Sequence, residues 1–125
     1  MRVIDQVKQH YQSQERLVVS VPEWGEPDKP LEIHIFPMTM AEAGLIQRMS
    51  GKKASPVENA VNSLIVKARD KDGNRLFKVE DKTELLNYGD CRVILRINDE
   101  IERHFYQSVE QLKGNSDAIP SDATS

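Results

Sequence analysis

The stretch Arg16–Pro37, RLVVSVPEWGEPDKPLEIHIFP, decides how this chain is read. Leu17, Val19 and Val21 fall at every second position, and so do Leu31, Ile33 and Ile35. Side chains two apart share one face of a strand, so each run reads as a half-buried strand. Between them lies EWGEPDKP, rich in the residues that turn a chain. The pattern predicts a β-hairpin with a long polar tip. Pro22 and Pro37 each follow a strand, where a missing ladder donor costs little.

On either side of the hairpin the period changes to that of a helix. Val3, Ile4, Val7 and Tyr11 predict a short amphipathic helix over residues 2–14. After the hairpin, Thr39–Glu42, Ser55–Glu58 and Asp81–Glu84 each set a capping residue three positions before a glutamate. In such a box the cap oxygen accepts from a free backbone N–H and the glutamate reaches back. Pro56 sits at the first helical position, where it loses no hydrogen bond. The expected helices are 40–50, holding Met40, Leu45, Ile46 and Met49; one from 56; 82–88, stopped by Gly89; and one from Asp90 to about 113. In the helix from 56, Val57, Ala60, Val61, Leu64, Ile65 and Ala68 form one stripe opposite Glu58, Asn59 and Asn62, and Lys67 favours the helix dipole. The last helix carries Ile94, Ile97, Ile101 and Phe105, a stripe read first of all as core, with Val109 and Leu112 extending it. The expected fold class is α+β and mostly helical: an N-terminal helix, one hairpin, then three to four helices in a small single domain over residues 1–113. Residues 114–125 read as a disordered polar tail.

Composition narrows the function classes. The 125 residues carry 17 basic and 20 acidic side chains, a net charge of −3, which gives no electrostatic reason to expect nucleic acid. The helices lack the basic face that reads bases. No segment is long and apolar enough to suggest a membrane span, and the N-terminus has no secretory h-region. The lone Cys91 fits a reducing cytoplasm and reads as a small packing residue.

The run Asp70–Asp81, DKDGNRLFKVED, invites comparison with a calcium loop. Such a loop needs glycine at its sixth position and a bidentate glutamate at its twelfth. Here Gly73 stands fourth, Arg75 sixth and Asp81 twelfth, so a turn around Asp72–Asn74 is the better reading. His10, His34 and His104 match no metal spacing, the glycines form no phosphate loop, and the carboxylates read as caps and solvated faces. No catalytic, cofactor or metal residue is expected. Trp24 is expected to fold back on the core, with a partner contact as the alternative. Ile101, Phe105, Val109 and Leu112 are the other candidates for a partner or self-contact, because the last helix is expected to overhang a small body.

The run Val19–Gly51, VSVPEWGEPDKPLEIHIFPMTMAEAGLIQRMSG, resembles the amino-terminal half of the tail assembly chaperones of long-tailed bacteriophages and prophages. The resemblance lies in the valine-rich strand into Pro22-Glu23-Trp24-Gly25, the second strand, and Pro37-Met38-Thr39 opening a helix. It continues over Asp70–Ile101 through Asp72-Gly73, Leu76-Phe77, Asp81, Leu85 and the isoleucine-bearing helix, and so covers roughly residues 1–101. It implies a non-catalytic protein without cofactors, made in the host cytoplasm and absent from the mature virion. Its implied partner is the tape measure protein, kept soluble while tail tube subunits polymerise. The tail tube protein and a second copy of the chain are further implied contacts. The alternatives left open are a structural tail or baseplate component retained in the particle, a metal-dependent switch or enzyme, and a DNA-binding regulator.

Overall fold

The computed structural model describes residues 2–116, with side chains described for residues 2–104. Five helices and a two-stranded antiparallel sheet make an α+β, mostly helical fold. In order they are α1 Val3–Ser13, β1 Leu17–Glu26, β2 Lys29–Ile35, α2 Met40–Ser50, α3 Pro56–Lys67, a 3-10 turn at Val79–Asp81, α4 Lys82–Tyr88 and α5 Cys91–Ser116. None of the described helices is long and apolar enough to cross a membrane.

The hairpin forms as its alternation predicts, but its tip is short. Leu17 pairs with Ile35 and the register holds to Val21 opposite Leu31. It then breaks and resumes at Glu26 opposite Lys29, so Pro22–Gly25 bulge against Pro30 alone. The turn itself is Pro27-Asp28. The proline-and-glycine content marks a bulge in β1, where extra residues bend a strand and re-aim a side chain. Gly25 is fixed there by proximity: a Cβ would collide with the Lys29 carbonyl oxygen and the Leu31 nitrogen. Gly25→Ala is therefore expected to destabilise the fold by about 1–3 kcal/mol, since backbone must move to admit one methyl group. A urea midpoint unchanged from wild type would show that the bulge has slack.

One face of the hairpin, Val19, Val21, Ile33 and Ile35, is buried in a core with Ala60, Val61, Leu64 and Ile65 of α3 and Val93, Ile94, Ile97 and Ile101 of α5. Helix α3 is the centre of the fold and contacts α2, α4 and α5. The single-stripe expectation for it is corrected. Asn62, assigned to the polar side, is fully buried beneath α2 and donates to Ser50 Oγ at 3.0 Å. Val57, assigned to the stripe, is exposed at the helix start. A helix covered on several sides is buried nearly all round, and a stripe argument fails there.

Lys67 lies in the last turn of α3 as expected, but its side chain is only 1% exposed. Its Nζ donates to Glu42 Oε1 at 2.7 Å and to the Pro37 carbonyl at 3.3 Å. Arg69 donates to the other Glu42 oxygen at 3.0 Å and to the Gly73 carbonyl at 2.9 Å. Glu42 thus ties α2, α3 and the turn after α3 together. Burial pushes the Glu42 carboxyl up, but Lys67, the Thr39 N–H and Arg69 outweigh it and hold it below its ordinary value. For Lys67 burial wins over Glu42, with Arg69 repelling, and its ammonium sits below the ordinary lysine value.

Of the expected capping boxes, Thr39–Glu42 forms in full. Ser55 Oγ accepts from Glu58 N–H, but Glu58 turns to Lys82 Nζ at 3.5 Å instead of reaching back. Asp81 makes no side-chain cap for α4; its carboxylate accepts from the Lys78 N–H at 2.8 Å and closes the preceding 3-10 turn. Cys91 opens α5 exposed, so it is not a packing residue.

Candidate partner-binding surface

The β1 bulge sends Trp24 back over the sheet. Its ring meets Phe77 edge-on, with centroids 6.2 Å apart at 81°. Phe77 and Leu76 arrive there because the chain turns tightly after α3. The Asp70 carboxylate accepts from the N–H groups of Asp72 and Asn74, each at 2.9 Å, and Gly73 takes φ +89°. These hydrogen bonds, led by that from Asn74, hold the Asp70 carboxyl below its ordinary value. Arg69 pairs through its backbone with His34 on β2 and with Arg75, so the turn hangs from the sheet edge. The run that resembled a calcium loop is a device for returning Leu76 and Phe77 to the core. Among the described residues no group of three or more histidine, cysteine or carboxylate side chains is placed to hold a metal ion.

Trp24 folds back as expected, half-buried, and it also walls two open hollows. One, about 510 Å³, lies between Trp24, Leu31, Leu76 and Phe77 on the body and Asp81, Glu84, Leu85 and Tyr88 along the 3-10 turn and α4. The other, about 620 Å³, continues past Gly25 to Lys29, Glu32, Asp70 and Lys71. Tyr88 is 85% exposed at the rim of the first. A bidentate pair fixes the hairpin beside it: Arg96 on α5 donates to both Glu23 oxygens at 2.9 Å. That contact holds the Glu23 carboxyl at about 2. The result is an apolar floor with an acidic rim at Asp81 and Glu84.

Of the other expected contact residues, the structure describes the side chain of Ile101 alone. Ile101 is 5% exposed and belongs to the core, so the expectation that it meets a partner is corrected. It faces inward because α5 packs on α3 and β1 through the same row as Ile97. Phe105, Val109 and Leu112 lie outside the residues whose side chains are described. Sequence reasoning missed the α4 wall of the hollow, Leu85 and Tyr88. The visible signal was that a helix as short as 82–88 leaves apolar side chains with little to cover them.

No family model matches the chain, and no curated protein matches it. Among solved structures it is similar to the tail assembly chaperone of bacteriophage HK97, with a TM-score of 0.47 and 18% sequence identity over 78% of this chain and 98% of that one.

Proposed function

We propose that this chain is a non-catalytic tail assembly chaperone of a long-tailed bacteriophage or prophage. It binds the tape measure protein in the host cytoplasm and is left behind when the virion is complete. One observation carries the reading. Pro22-Glu23-Trp24-Gly25, one of the pieces that carry the sequence resemblance, is the bulge that sets Trp24 on the wall of an open apolar hollow. Three of its residues have work there: Gly25 admits the close backbone, Glu23 anchors to α5, and Trp24 supplies the apolar wall.

A helix of the tape measure protein would lay an apolar row across Trp24, Leu31 and Leu85, with basic flanks toward Asp81 and Glu84. Each contact is small, and repetition along a long helical partner supplies the avidity. Co-expression with the tape measure protein of the same genome is expected to move that protein from the insoluble to the soluble fraction and to recover the two together. Mass spectrometry of purified virions is expected to find this chain absent. A tape measure protein equally insoluble with and without it, or abundant peptides of this chain in virions, would overturn the proposal. The second result would favour a structural tail component.

A further inference from the structure

The two-stranded sheet leaves each strand one outer edge, and the two edges differ. On β2, His34 exchanges both backbone hydrogen bonds with Arg69, at 2.8 and 3.2 Å. The His34 N–H and C=O therefore point away from β1, and those of Val18, its partner in the register, point away from β2. Ser20, two residues further along β1 and opposite Glu32, repeats that orientation. Among the described residues, no main-chain group outside the hairpin takes up the N–H or C=O of Val18 or Ser20. The run Leu17–Val21 also lacks the devices that blunt an exposed edge. It reads LVVSV, with no lysine, no proline and no charge, and the register breaks only beyond Val21. Val18 is 46% exposed beside that edge, and Ser20 is exposed too. On β2, by contrast, Lys29, Pro30 and the bridge to Arg69 guard the outer edge.

A row of unpaired donors and acceptors on an uncharged strand is a template for another strand. This row is complementary to itself. In an antiparallel ladder, opposed residues whose main-chain groups face each other exchange both N–H···O=C bonds. A twofold axis at Val19, the centre of the uncharged run, sets β1 against β1 of a second copy. Val18 then lies opposite Ser20 of the second copy, and Ser20 opposite its Val18. Every outward N–H of the run meets a carbonyl. Pro22, which has no N–H to give, stops the ladder at both ends. We propose that the chain pairs with a second copy of itself through the β1 edge, joining the two hairpins into one four-stranded antiparallel sheet of order β2-β1-β1-β2. Twofold contacts are the commonest way in which identical chains associate. The inference stands whether or not the chain binds a tape measure protein.

Sedimentation of the full chain over a range of concentrations is expected to show a monomer–dimer equilibrium. Val18→Lys puts a charge beside the edge, and Ser20→Pro removes an N–H that β2 does not use. Both variants are expected to stay monomeric at concentrations where the wild-type chain is a dimer, with the far-UV circular dichroism of the wild type. A wild-type chain that is monomeric throughout, or variants that dimerise as well as it does, would overturn the proposal. A second measurement reads the register and needs no disruptive substitution. Val18→Cys chains and Ser20→Cys chains, both in a Cys91→Ser background, are mixed and mildly oxidised. The disulfide between unlike chains is expected to form in preference to either disulfide between like chains, since directly opposed residues lie within bridging distance. Thiols that stay free, or like-chain disulfides at or above their statistical share, would overturn the proposal equally.

Discussion

Glu42→Ala is expected to cost about 3–5 kcal/mol of stability, because it strands Lys67 as a buried charge without its counter-ion. A typical fold has about 5–15 kcal/mol in total, so the variant should be partly unfolded at physiological temperature. The cost lies in what is left behind. Lys67 keeps only the Pro37 carbonyl at 3.3 Å, and Arg69 keeps the Gly73 carbonyl at 2.9 Å. Adding Lys67→Met to Glu42→Ala should therefore restore more than half of the loss, since an apolar side chain of similar length has no charge to desolvate. Urea unfolding of the single and double variants measures both. A Glu42→Ala variant within about 1 kcal/mol of wild type, the size of a surface pair, would mean that water reaches the site.

The same cluster sets the acid response. The Glu42 carboxyl is held below its ordinary value in the fold, so its contribution is fully present above the unfolded carboxylate value and is lost as pH falls through the folded one. The gap in stability between wild type and Glu42→Ala should accordingly be widest near neutrality and narrow on the acid side. A gap that widened on acidification would have the wrong sign. Lys67 acts at the other end of the scale. Its depressed value makes folding more favourable as pH rises through the alkaline window below the ordinary lysine value.

Ile97→Ala is the second large effect, about 2–5 kcal/mol. Ile97 is fully buried in the core that joins α5 to α3 and β1. Removing its outer carbons loses their transfer free energy and leaves a void that close-packed neighbours refill only in part. Ile97→Val, which keeps most of the volume, should cost about 0.5–1.5 kcal/mol. The urea midpoint should fall with the slope unchanged, since the surface exposed on unfolding is nearly the same. Equal losses for valine and alanine would show that the site collapses freely around the deletion. Because α5 also carries Arg96, which holds Glu23 at the hairpin, a loosened α5 should weaken partner binding as well.

The elements that alternate or repeat cleanly were legible in the sequence. The hairpin strands, the starts of α2 and α3, the stop at Gly89 and the buried Ile94, Ile97 and Ile101 all follow from local periodicity and caps. What local pattern could not give was anything decided by a third element. Asn62 and Lys67 look like surface residues by spacing, and α2 buries one while Glu42, from α2, captures the other. Asp81 looks like a helix cap, yet the 3-10 turn before α4 claims its carboxylate first. The long polar tip became a bulge because β1 and β2 regain register at Glu26 and Lys29, a pairing that composition alone does not reveal. Of the proposed surface, Trp24 stands out in the sequence as a lone tryptophan in a turn-rich stretch, whereas Leu85 and Tyr88 join it only through the position of α4 beside the hairpin.

Trp24 is the only tryptophan of the chain, so its emission reports on the hollow without competing signals. The most direct test titrates the protein with an amphipathic helical segment of the tape measure protein from the same genome and follows that emission. A saturable shift to shorter wavelength is expected as the partner's apolar row covers the half-exposed ring, and Tyr88→Asp at the rim should weaken it. Emission that stays constant through saturating tape measure segment would contradict the assignment of this surface.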